Sequence, residues 1–230
     1  MTIKTNPLIS VIMSTYNDER NLYQSIESVL EQTYKNFEFL ILDDASTDSS
    51  YDVLKQYQKL DNRIQVYSNN VNKGLTKSLN ILIQKSKGEY LARQDSDDKS
   101  LKERFSVQIR YLTERNYDLC FSRAKIKDSR STMPGLSYYI PTNIAIRYKN
   151  PFIHGSLMMK RSILEKLNYY DENFYYAQDY KLFSDAVISN CRIKYLRTPL
   201  YILNIQNNIS TLHKNEQKYF ANCVKKGLNP

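Results

Sequence analysis

Asp95-Ser96-Asp97-Asp98 places three carboxylates within four residues. Carboxylates crowded in this way repel one another, and are tolerable when all are solvated or when a cation sits among them. The cluster follows directly on a strand-like run, Glu89-Tyr90-Leu91-Ala92-Arg93. The carboxyl end of a buried strand is where open α/β sheets bind ligands, so a bound divalent cation is the first reading and a solvated acidic turn its rival. The rest of the chain restricts the cation. His154 and His213 are the only imidazoles, and Cys120, Cys191 and Cys223 have no zinc-like spacing. A site built mainly from oxygen ligands suits Mg²⁺ or Mn²⁺ rather than zinc.

Two more strand-like runs end in polar residues. Leu8 to Met13 leads into Ser14-Thr15-Tyr16-Asn17, and Phe37 to Leu42 ends in Asp43-Asp44. If the strands are parallel neighbours, all three groups converge on one sheet edge. A carboxylate there can accept from a base or a ribose hydroxyl, while Tyr16 can stack on a ring. Taken alone, Asp43 and Asp44 serve equally well as helix caps. The five glycines (Gly74, Gly88, Gly135, Gly155, Gly227) form no phosphate-cradling loop, so carboxylate-held metal is the obvious substitute. Phosphatases of the haloacid dehalogenase type also use Asp-x-Asp, but after the first strand and trailed by Thr. Here the motif follows the fourth strand and Lys99 stands in the Thr position, which excludes them.

The elements that must position these groups show in the periodicity. Strand-like runs at Leu8 to Met13, Phe37 to Leu42, Ile64 to Tyr67 and Tyr90 to Ala92 alternate with helical spacing. Leu22, Ile26, Val29 and Leu30 share one face, as do Leu75, Leu79, Leu82 and Ile83. Ser46-Thr47-Asp48 suits the start of a helix running toward Tyr57. This alternation predicts βαβ units and a parallel sheet. Leu101, Phe105, Ile109 and Leu112 mark a further helix before a strand at Leu119 to Phe121. From Lys125 to Pro151, prolines and a Ser- and Tyr-rich composition read as loops. Helices return at Arg161 to Leu167 and Gln178 to Ile188, and the tail after Asn204 reads as peripheral.

The 230 residues, 41% of them hydrophobic, can bury a substantial core. The longest apolar stretch, near Leu8 to Met13, is too short to span a bilayer, and the start has no signal-peptide character, so the expected location is cytosolic. The net charge of +9 favours polyanionic partners such as nucleotide phosphates or an anionic membrane. The basic residues are scattered, and no nucleic-acid patch is visible.

In order and spacing, these segments resemble the family 2 glycosyltransferases of the GT-A fold, over about Pro7 to Ser210. Leu8 to Asn17 looks like that family's opening strand and nucleotide-contacting loop. Ser25 to Tyr34 resembles its first helix, Asp43 to Asp48 its Asp-Asp-x-Ser segment, and Asp95 to Asp98 its metal motif. Asn72-Lys73-Gly74-Leu75 and Lys87-Gly88-Glu89-Tyr90 fit as well. The resemblance implies a single α/β domain with a Rossmann-like, mostly parallel sheet flanked by helices. Residues 1–124 would form the nucleotide-sugar half, 125–210 the acceptor half, and 211–230 a tail.

It also implies roles. Ser14, Thr15, Tyr16, Asn17, Glu19, Asp43, Asp44, Lys73, Lys77, Asp95 and Ser96 would contact the nucleotide, with Asp44 accepting from uracil. Asp97, Asp95 and Asp98 would hold Mn²⁺ or Mg²⁺. His154, Gly155 and Gln178 would face the acceptor, and Asp179 would be the general base, although a carboxylate entering a helix is also a common N-terminal charge. The Lys125 to Pro151 stretch would be an acceptor lid. The implied reaction is inverting transfer of a hexose or N-acetylhexosamine from a UDP-sugar to a glycan or lipid-linked acceptor in surface polysaccharide synthesis. Peripheral contact with the cytoplasmic membrane face is the accompanying expectation.

Three positions depart from the pattern: Gln178 where Glu is common, Leu79 where Arg is frequent, and Asn204-Ile205-Gln206 in place of Arg-x-His. They suggest as rival a non-catalytic scaffold or nucleotide-binding subunit on the same fold. A basic nucleotide- or nucleic-acid-binding module explains the charge but gives the carboxylates no purpose.

Overall fold

The computed structural model describes residues 6–206 and 213–230. Its first half is the predicted alternation: β1 (Ile9–Thr15), α1 (Glu19–Leu30), β2 (Phe37–Asp43), α2 (Ser50–Leu60), β3 (Ile64–Ser68), α3 (Leu75–Lys85) and β4 (Tyr90–Arg93). There follow β5 (Lys99–Ser100), α4 (Arg104–Thr113), β6 (Leu119–Ile126), β7 (Thr132–Met133), α5 (Thr142–Ala145), β8 (Met158–Lys160), α6 (Arg161–Lys166), α7 (Gln178–Ile188), β9 (Ile193–Leu203) and α8 (Lys214–Lys226). All strands join one sheet in the order β3-β2-β1-β4-β8-β6-β9-β5, with β7 on β6. From β3 to β4 every pairing is parallel. Beyond β4 the sheet is mixed: β8 is antiparallel to β4 and β6, and β9 runs parallel to β6 and antiparallel to β5.

Strand alternation sends side chains into two cores, one on each face. Ile9, Val11 and Met13 of β1 and Phe37, Phe39 and Ile41 of β2 meet α1, α2 and α4 through Leu22, Ile26, Leu54, Phe105 and Ile109. Ile12, Leu40 and Leu42 point the other way, to Leu79, Leu82 and Ile83 of α3 and to Leu182 and Phe183 of α7. Covered on both faces, the central strands can be apolar throughout, as parallel strands are. Leu79 is wholly buried in this second core.

The structure adds to the sequence reading in three places. The stretch read as loops carries β7, a 3-10 turn at Leu136–Tyr139 and α5. β9, the longest strand, has no counterpart in the pattern, because its pairing with β6 is interrupted. Ser122 faces Leu196 but Arg123 faces Pro199, so Arg197 and Thr198 bulge out and the alternation is lost. The tail after Asn204 contains α8, whose Phe220, Ala221 and Val224 pack on the α3–α7 core. β6 runs through the expected 124/125 division, so both halves share the sheet, and the division at 210 lies outside the described residues.

Candidate active site

The carboxyl ends of β1, β2 and β4 lie side by side, with Thr15 paired to Asp43 and Ile12 to Arg93. The two acids ending β2 behave differently. The Ser46 N–H donates to Asp43 Oδ2 at 3.1 Å, while Asp43 Oδ1 and Thr15 Oγ1 opposite it have no partner among the described residues. Leaving a buried acceptor unpaired costs roughly 1–3 kcal/mol, which a ligand donor can recover. Asp44 is tied up. Asn69 Nδ2 and the Lys73 N–H donate to one oxygen at 2.7 and 2.9 Å, and the Gly74 N–H to the other at 2.8 Å. Asp44 therefore clamps the loop before α3, and Asp43 is the residue with an acceptor to offer. Asp44, expected to accept from uracil, has both oxygens already bonded to protein donors.

Around this pocket Ser14 is buried and Tyr16 half-exposed. Asn17, at a left-handed φ of 50°, fixes its loop to the next. Its N–H donates to Ser46 Oγ, and its Oδ1 accepts from the Thr47 N–H at 2.8 Å. Glu19 Oε2 accepts from the Ser49 N–H at 3.0 Å, at the start of α2. The side chains of Lys73 and Lys77 are exposed.

The acidic turn is built around groups the sequence reading did not single out. Gln94 is fully buried, and its Nε2 donates to Ser25 Oγ and to the Asp95 and Asp98 carbonyls, while its Oε1 accepts from Ser100 Oγ at 2.7 Å. Arg104, also fully buried, donates to Ser100 Oγ and to the Arg93 and Leu157 carbonyls. Arg93 pairs with Asp95 Oδ1 at 2.6 Å. Tyr201 Oη accepts from the Asp95 N–H at 3.0 Å, and the Asn204 N–H donates to Asp98 Oδ1 at 2.6 Å. The departure at Asn204 thus falls directly on the acid cluster. Arg93 and Arg104 carry the one signal that could have exposed them: permanent charges beside strand-like or core positions, where an unpaired charge is rarely tolerated.

Burial, then the charges of Asp95 and Asp18, pushes Asp97 up to about 7. Asp98, almost wholly buried, is pushed well above the carboxylate range by burial and then by Asp95 and Asp97. Asp95 and Asp97 remain partly accessible, and Ser96 lies between them. No three His, Cys, Asp or Glu side chains converge as a ready-made metal cage among the described residues. The fit is to a hard divalent ion held by one or two carboxylates and completed by phosphate oxygens and water. The repulsion left uncompensated at Asp97 and Asp98 supports that fit.

Gly155 is a spacer. A Cβ there would collide with Tyr201 Oη and Asp95 Oδ2, so no side chain fits between this turn and the acid turn. His154 Nε2 bonds Tyr170 Oη at 2.7 Å, and burial followed by the nearby Arg93 charge pushes its pKa down to about 3, keeping the imidazole neutral. Gln178 is buried in the first turn of α7. Asp179 beside it is pushed up to about 6, by burial first and also by the charge of Asp95. Asn150 Nδ2 donates to Asp179 Oδ2 at 2.7 Å. Ala177, just before this pair, holds a left-handed φ of 55°, a conformation costing an L-residue roughly 1–2 kcal/mol and kept where the surroundings over-determine it. The charge of Asp95 thus reaches His154, Tyr170 and Asp179, and that of Arg93 reaches His154 and Tyr170.

The sheet thus brings the carboxyl ends of β1, β2 and β4, with Thr15, Asp43 and the Asp95–Asp98 turn, to one edge, and the charge of Asp95 reaches Asp179. The family description Glycosyl transferase family 2 matches residues 10–168. The chain belongs to that family. It is 38% identical over 176 residues to the putative glycosyltransferase EpsE of Bacillus subtilis (strain 168), an alignment covering 73% of this chain and 62% of EpsE. The chain thus spans about three-fifths of that relative's length. Among solved structures it resembles S. aureus TarS 1-349 in complex with UDP-GlcNAc, with a TM-score of 0.75, 23% identity, and coverage of 87% of this chain and 59% of that one. It also resembles the mannosyltransferase PcManGT from Pyrobaculum calidifontis in complex with GDP-Man and Mn²⁺, with a TM-score of 0.77, 18% identity, and coverage of 97% and 66%. At these identities the structural likeness shows the fold.

Proposed function

We propose that this chain transfers a hexose or N-acetylhexosamine from a UDP-sugar to a hydroxyl of a glycan or lipid-linked acceptor, with inversion, on the cytoplasmic side of polysaccharide synthesis. The observation that carries this reading is Asp179, bonded by Asn150 and pushed up to about 6 by burial and by the charge of Asp95. Asp43 Oδ1 accepts the imide N–H of uracil, Tyr16 covers the base, and Ser14 and Thr15 line the floor. Asp95 and Asp97 are the residues that would hold Mn²⁺ or Mg²⁺, and Asp98 supports them from within. When bound, such an ion neutralises charge on the leaving diphosphate as a Lewis acid. Asp179 removes the proton of the acceptor hydroxyl as that oxygen bonds to the anomeric carbon, and the bond from that carbon to the UDP oxygen breaks. Asn150 holds the base in place through its 2.7 Å bond to Asp179 Oδ2.

The test is titration calorimetry of UDP into the protein with Mn²⁺ and then with EDTA. GDP is titrated in parallel, because Asp43 would accept a guanine N–H equally well. The expected result is UDP binding that requires metal and is lost in Asp97→Ala. A folded protein that binds neither nucleotide would move the weight to the scaffold reading.

A further inference from the structure

The segment after β6 presents an apolar surface that the donor chemistry leaves unused. Between residues 133 and 148, six large apolar side chains stand exposed: Met133, Leu136, Tyr139, Ile140, Ile144 and Tyr148, with Leu136 88% and Tyr148 71% accessible. The platform beneath them is fixed. The Tyr138 ring packs edge-on against Tyr195 at 5.2 Å and its hydroxyl donates to the Tyr195 carbonyl. Arg123 lies over the other side of that ring and donates to the Pro134 carbonyl. Ala145 and Ile146 are buried, and Tyr180 Oη donates to the Ile146 carbonyl at 2.6 Å. With its backbone anchored, the segment points its apolar residues outward rather than burying them. Six exposed large apolar side chains within sixteen residues are more than the singly scattered ones normal on a surface, and such a concentration marks an interaction site.

The surrounding charge selects the partner. Lys125, Arg130, Arg147 and Lys149 are exposed on this segment, and Asp128 is the only acid in it. We infer that this platform docks the protein onto an anionic lipid bilayer, with Leu136, Tyr139, Ile144 and Tyr148 entering the interface and Arg147 and Lys149 meeting lipid headgroups. Stable peripheral binding takes two signals, apolar insertion and basic charge, and this segment carries both. A second copy of the chain would bring the same positive surface against itself. The basic helix α8 lacks the apolar half, since Phe220, Ala221 and Val224 face the core. Asn150, just beyond the platform, bonds the candidate base Asp179, so docking there would bring that carboxylate toward the lipid surface. The inference stands on surface chemistry and does not depend on the identity of the donor.

The experiment is co-sedimentation of the full chain with phosphatidylcholine vesicles, with and without phosphatidylglycerol. The chain has no tryptophan, so Tyr139→Trp supplies a single fluorescent reporter. Binding only to phosphatidylglycerol vesicles, with a blue shift of the reporter, is expected. Arg147→Gln and Lys149→Gln should each weaken binding about fivefold, the equivalent of ~1 kcal/mol per basic side chain near an anionic surface. Leu136→Asp and Ile144→Asp should abolish binding while leaving thermal unfolding and UDP titration unchanged, and Lys225→Gln with Lys226→Gln should leave vesicle binding intact. Failure to sediment with phosphatidylglycerol vesicles would overturn the inference. So would binding that survives Leu136→Asp and Ile144→Asp, or a dimer in solution that Leu136→Asp dissociates.

Discussion

Asp179 makes the sharpest claim of any single side chain. Its carboxyl is pushed up to about 6, so it is ionised and able to take a proton above that pH and occupied below it. The rate of transfer, measured as kcat/KM, should therefore fall as pH drops through about 6. Asp179→Asn should lower kcat on the order of a hundredfold or more while UDP affinity stays unchanged. Near-native turnover in that variant would remove Asp179 from the chemistry and leave it a helix-start charge. Asp43 and Asp44 teach a related lesson. As adjacent identical letters they are indistinguishable in sequence, and only the donors around each show that one is a clamp and the other a vacant acceptor.

Between elements, the decisive contacts are close approaches that admit no side chain. The 3-10 turn His154–Ser156 meets the acid turn at Gly155. Gly155→Ala would push Tyr201 and Asp95 apart, and overpacking of this kind costs typically 1–3 kcal/mol. Metal-dependent UDP affinity should then fall by about tenfold or more, with a smaller effect on metal-free unfolding. Unchanged affinity would show that Asp95 need not sit where it does. The donor half of this arrangement was legible in the sequence because each parallel strand is buried on both faces and ends in polar letters, so Thr15, Asp43 and Asp95 could be placed on one edge. The support was not legible. Arg104 and Tyr201 act through hydrogen bonds to distant backbone, Gln94 through the Ser25 hydroxyl and the carbonyls of its own turn, and Asn150 through the Asp179 carboxylate. Such bonds leave no period, and the bulge at Arg197 and Thr198 erased the pattern of the strand that carries Tyr201. The Lys125 to Pro151 stretch read as loop because its side chains serve a surface rather than a core.

For the molecule as a whole, the acid cluster makes stability depend on pH in an unusual direction. Asp97 and Asp179 have folded pKa values raised above their unfolded ones. The native state thus binds more protons than the unfolded chain, and stability should rise as pH falls through about 7. His154, pushed down to about 3, works the opposite way once pH drops below its ordinary value of about 6.5. The metal-free protein should therefore gain Tm from about pH 8 to about 6.5 and go on gaining below it, because His154 offsets only one of the protons that Asp97 and Asp179 take up. Mn²⁺ should raise Tm most at the alkaline end, and a Tm flat over that range would contradict the shifts. The same cluster bears on how the protein is made. Asp95 and Asp98 are held by Tyr201 and Asn204, each bond spanning 106 residues. A ribosome delivers the carboxylates long before the strand that restrains them. The acid turn is therefore complete only once β9 has been made, 106 residues after the carboxylates it restrains.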